Sequence, residues 1–104
     1  MRDRLSHEDW GRLEQLERPY ASLTAQQAET FARELQTEVS EGHVLHGVNI
    51  QFLARRLGYD DFLAYAPDLE APWVSVHLAW KPRETPPWPS SYLYASLEDF
   101  LAER

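Results

Sequence analysis

A chain of 104 residues, 43% hydrophobic and 12% aromatic, has material for one domain with a modest core. It contains no cysteine, which excludes disulfide staples, thiolate metal sites and a thiol nucleophile. A net charge of −7, with basic residues that cluster nowhere beyond Arg55-Arg56, disfavours nucleic acid, whose phosphates need a concentrated positive footprint.

Met1 to Tyr20 is charged throughout, with no apolar run resembling a signal peptide. No stretch approaches the roughly 18 apolar residues of a membrane span. The expectation is a soluble cytoplasmic protein that contacts neither membrane nor nucleic acid. Ser6 with Asp9 approximates a capping box, and Trp10, Leu13 and Leu16 follow at helical spacing until Pro19 stops this first helix. Thr24 with Gln27 forms a second capping box, flanked by Leu23 and Ala28 as a hydrophobic staple. Ala28, Phe31, Ala32, Leu35 and Val39 then trace one stripe, which places Glu29, Arg33, Glu34 and Glu38 toward water. The spacing predicts a helix over 24–41, closed by Gly42 in a left-handed turn.

From His43 the period changes. The segment GHVLHG (42–47) reads as a tight connection. Val48 to Arg56 alternates as a strand, with Val48, Ile50, Phe52 and Ala54 on one face and Asn49, Gln51, Leu53 and Arg55 on the other. Gly58 and Asp60-Asp61 supply turn chemistry before a second strand at about 61–66. Pro67 to Pro72 makes a further turn, and 73–80 is the third strand. Its Val74, Val76, Leu78 and Trp80 lie on one face, with Trp73, Ser75, His77 and Ala79 on the other. A loop rich in proline and serine follows over 81–91, Tyr92 to Tyr94 is a candidate short edge strand, and Ser96 with Asp99 opens a closing helix through Leu97, Phe100 and Leu101. The predicted class is α+β: one domain over 1–104, N-terminal helices on one face of an antiparallel meander of three strands or four, and a short C-terminal helix.

The ordered motifs GHxLxG (42–47), ARR (54–56), DD (60–61), VHLxW (76–80), PPWP (86–89) and SLEDF (96–100) carry a resemblance. Over about residues 42–101 the chain resembles an uncharacterised group of small bacterial proteins. It departs from their pattern in a longer, more apolar YAPDLEAP segment at 65–72. The resemblance implies a shared fold and brings no activity, so no functional residue follows from it.

Several groups of residues hold chemistry. His43, His46 and His77, joined by Asp60 or Asp61, have the ligand types for zinc, but a turn does not fix side chains on one face as a helix does, and no HExxH-type motif accompanies them. His43 has an ordinary role as a polar group at a helix end. Ser75 and His77 share a strand face without a nucleophile elbow. Asp60-Asp61 and Glu98-Asp99 fit a hairpin turn and a first helical turn. Arg55 and Arg56 point to opposite faces and cannot form one phosphate clamp, although one can pair with Asp60, Asp61 or Glu84. No catalytic residue, metal site or cofactor is assigned, and an enzyme is the less favoured reading.

The densest signal is WVSVHLAW followed by KPRETPPWPSSYLY, a strand running into a loop with four of the seven prolines. Trp73, Trp80, Trp88, Tyr92 and Tyr94 are the residue types most enriched at interface hot spots. The flanking prolines limit the ordering entropy of presenting Trp88. The alternative is that Trp88 folds back to cover an open sheet face. The leading expectation is an acidic module that binds another protein, in its most concrete form an immunity-type or regulatory inhibitor of a basic partner. A small-ligand or metal site using His43, His46, His77 and Arg55 is the second reading, and a homodimer or other homo-oligomer paired through an edge strand or the exposed aromatic surface is the third.

Overall fold

The computed structural model describes residues 20–80 and 88–103, together with Leu5, Gly11 and Leu13. The order is β1 (Tyr20–Ser22), α1 (Ala25–Glu38), β2 (Gln51–Arg56), β3 (Asp61–Tyr65), β4 (Trp73–His77), β5 (Ser91–Tyr94) and α2 (Leu97–Glu103). The class is α+β. The sheet has five strands in the order β1-β2-β3-β4-β5, every neighbouring pair antiparallel. Most of the helix expected before Pro19 lies outside the described residues; Gly11 and Leu13 within it are helical, and Leu13 is buried. No helix among the described residues is long and apolar enough to cross a membrane.

Helix α1 begins as its capping box requires. The Thr24 hydroxyl accepts from the Gln27 N–H at 3.1 Å, and the Gln27 side chain accepts from the Thr24 N–H at 2.9 Å. Its end differs from expectation. The helix stops at Glu38, Val39 is already extended (φ −79°, ψ 136°), and Gly42 (φ 99°) serves the following turn instead. Val39 leaves the helix into the core, and Glu38 points inward with it.

Two sequence expectations for β2 fail for one reason. The β2–β3 register shifts between Phe52 and Ala54, a bulge at Leu53. Leu53 and Ala54 therefore both pack on the α2 side, whereas Phe52 packs on the α1 side. Arg55 is returned to the α1 side, opposite Phe62 rather than across the sheet from it.

The helices do not share one face. Against one side of the sheet lie Leu35 and Val39 with Phe52, Phe62, Val74, Val76 and Leu78. Against the other lie Leu97 and Phe100 of α2 with Leu13, Tyr20, Leu63 and Trp73. Both faces are buried, so the molecule has three layers around a central sheet. Trp73, on the face that alternation marked as polar, is a core residue edge-on to Tyr65 at 4.9 Å.

Candidate functional site

The two ends of the β4–β5 connection are built differently. After β4, Leu78 stays in the core while the chain turns at Trp80, whose φ of 60° places a bulky residue in the left-handed region. That conformation costs about 1–2 kcal/mol for an L-residue. Glu38 offsets it. Its carboxylate, 0% exposed, accepts from the Ala79 N–H at 2.8 Å and from the Trp80 N–H at 2.7 Å. Burial, then the hydrogen bond with Glu34, pushes the Glu38 carboxyl up to about 7, against the two backbone donors, which pull it down. Helical periodicity had placed Glu38 toward water. The local signal that could have corrected it is the Glu34–Glu38 pair at i, i+4, where like charges are costly on an exposed helix.

Before β5, Pro89 is fully buried and Trp88 is 55% exposed; the peptide between them is cis. His43 holds this segment. Its Nδ1 accepts the Leu45 N–H at 3.0 Å, and that fixes the remaining ring proton on Nε2, which donates to the Pro89 carbonyl oxygen at 2.9 Å. Both hydrogen bonds are internal. The imidazole is a buried strut between the turn after α1 and the loop before β5.

From Trp88 the chain enters β5, the last strand of the sheet, bonded to β4 along one side only. Leu93 lies opposite Val74 on the α1 side and is 38% exposed, whereas Tyr92 lies opposite Ser75 on the α2 side and is 66% exposed. Tyr94, opposite Trp73, is half-buried and packs on Phe100. Trp80 is 47% exposed and rests edge-on against Phe31, with ring centroids 6.0 Å apart. Of the five aromatic candidates, Trp88 and Tyr92 are presented outward, Trp80 and Tyr94 are half committed to packing, and Trp73 is core. From Trp88 to Leu97 there is no charged residue, in a chain that is 26% charged. Sheet edges are ordinarily guarded by charge, by proline or by a cover; β5 carries no charge, and no described residue pairs with its outer side.

The histidines and arginines are dispersed. His43 is buried as described, and His46 is exposed in the 42–47 turn. His77 Nδ1 lies 2.7 Å from Asp61 Oδ1 at the exposed end of β4. Arg55 pairs with Asp60 at 3.0 Å and lies over Phe31 and Phe62; Arg56 lies 3.7 Å from Asp61 on the opposite face. The two arginines thus take the two hairpin aspartates in turn; Glu84 lies outside the described residues. Ser75 shares a face with His77 and Asp61, but no hydrogen bond among the described residues joins it to the imidazole. Among the described residues, no group of three or more His, Asp or Glu side chains is arranged to hold a metal ion.

Comparison with protein-family models, with curated proteins and with solved structures finds no match.

Proposed function

We propose that this protein is a recognition module that docks another protein along the outer edge of β5. The observation that carries this reading is the split between adjacent residues of the PPWP segment: Pro89 is buried and tied to His43, and Trp88 stands out beside an edge that no described residue pairs. An unpaired strand edge offers a row of backbone donors and acceptors to an added strand, and exposed side chains on alternate faces select it. Here those side chains are Tyr92 on one face and Leu93 on the other, with Trp88 as an anchor at one end. Tryptophan and tyrosine carry a disproportionate share of interface energy.

The chain's net charge of −7 favours a basic partner by long-range steering, while the uncharged rim supplies the contact. An inhibitor or regulator of a basic protein, as immunity proteins are, is the concrete form of this proposal. The separate partners of His43 and His77, and the exposed position of His46, favour this reading over a ligand site at the histidines.

The test is affinity capture from the native host's lysate with the parent and with a Trp88→Ala, Tyr92→Ala double variant shown to remain folded. The proposal predicts a stoichiometric partner retained by the parent and lost by the variant. Equal retention by both would move the docking surface elsewhere, and capture of nothing but the chain's own copies would replace the heterologous partner with a homo-oligomer.

A further inference from the structure

Between the α2 face of the sheet and α2 itself runs a groove of about 650 Å³, within the ordinary range for a small-ligand site. Its base is aromatic. Phe100 meets Tyr94 at 5.7 Å and Tyr20 at 5.6 Å between centroids, both at 78°, and Tyr92 stands beside them. The charges at its two ends are unequally satisfied. At one end Asp61 is engaged by His77 at 2.7 Å and by Arg56 at 3.7 Å, and the Arg56 guanidinium also lies 4.2 Å from the centre of the Tyr59 ring. At the other end Glu103 has no ion-pair partner among the described residues. It closes a helix whose seven residues carry three acids and no base.

The only arginine of the groove's described lining is therefore committed, and the unopposed charge is negative. Burial first, and then the Glu103 charge, push the Tyr94 hydroxyl above its ordinary value; of the two, the Glu103 charge is the one that favours a cation. Aromatic faces with a nearby carboxylate are the standard receptor for a cation that is soft, planar or bulky. A compact inorganic ion would want converging oxygen ligands instead.

We infer that this groove binds an organic cation, a guanidinium or alkylammonium group, seated against the tyrosines with Glu103 as its counter-ion. The chemistry is the same for a free small molecule and for an arginine or lysine side chain of a partner. The groove shares Tyr92 with the β5 surface but needs neither Trp88 nor Leu93, so Glu103→Gln tests the groove alone and a Trp88→Ala single variant tests the docking edge alone.

The experiment is an NMR titration of the full chain, following backbone amides, with N-methylguanidinium, with its neutral counterpart N-methylurea, and with the blocked peptide Gly-Arg-Gly. The expected result is saturable shifts in β4, β5 and α2 with N-methylguanidinium, with a dissociation constant on the order of millimolar, and none with N-methylurea. Glu103→Gln should weaken binding roughly threefold, the scale of an exposed ion pair. Tyr92→Leu should weaken it as well, and both variants alter exposed side chains that the fold does not need. Tighter binding of the peptide than of N-methylguanidinium would identify a partner's side chain as the source, and the reverse order a free cation. Absence of saturable shifts, equal response to N-methylurea, or indifference to both substitutions would overturn the inference. A Trp88-dependent partner captured alongside such a negative titration would leave the docking proposal standing alone.

Discussion

Glu38 acts from inside the core on a turn forty residues away. Its two oxygens each take one backbone N–H of the Ala79-Trp80 turn, and Glu34 supplies the neighbouring carboxyl. Because its folded value of about 7 lies above the ordinary 4.5, folding favours the protonated group. The resulting stability is fully present below about pH 4.5 and is lost as pH rises through about 7. Glu34→Gln removes the neighbouring charge and should flatten that dependence. Thermal unfolding at about pH 5 and about pH 8 checks it: the parent should lose more of its melting temperature than the variant, and parallel curves would refute the coupling. Apart from the Glu34–Glu38 pair at i, i+4, nothing in the sequence around Glu38 distinguishes it from the exposed acids of the same helix. Its burial is decided by a turn distant in the chain. The same holds for His43, which the sequence offered as a polar group at the helix end and which instead bonds the Leu45 N–H and the distant Pro89 carbonyl.

At the scale of elements, legibility follows how local the cause is. The start of α1 was readable because the capping box lies within four residues and its two hydrogen bonds are internal to them. Thr24→Ala should therefore cost about 1 kcal/mol, measured by chemical denaturation. Ser96 likewise caps α2, its hydroxyl accepting the Asp99 N–H at 3.1 Å. The bulge at Leu53 left one mark, the apolar run Phe52-Leu53-Ala54 that breaks the alternation of VNIQFLARR, but which residue is extra is decided by pairing with β3. Strand β1 escaped notice because three residues after a proline show no period; it exists as a partner for Arg56, Arg55 and Ala54. The face of β4 marked as polar by Ser75 and His77 is in fact shared between a buried tryptophan and an exposed histidine, a gradient along the strand that α2 creates by covering only part of it.

Among the described residues both faces of the sheet carry buried cores, and the two surfaces proposed to meet a partner are the β5 edge and the groove beside α2. The aromatic residues of the second half divide accordingly, with Trp73 inside and Trp88 and Tyr92 outside. The sequence marked this stretch as the one to examine, yet could not assign the tryptophans, because alternation says which residues share a face and not which faces are covered. A buried Pro89–His43 support and an outward Trp88 divide the PPWP segment between core and surface. The most direct test compares the free energies of unfolding of Trp88→Ala and His43→Ala with that of the parent, by chemical denaturation. The prediction is a change within about 0.5 kcal/mol for Trp88→Ala. For His43→Ala it is a loss of about 2 kcal/mol or more, as a buried strut leaves the Leu45 N–H and the Pro89 carbonyl unpaired. A loss of several kcal/mol from Trp88→Ala would make that ring part of the core and contradict the recognition surface.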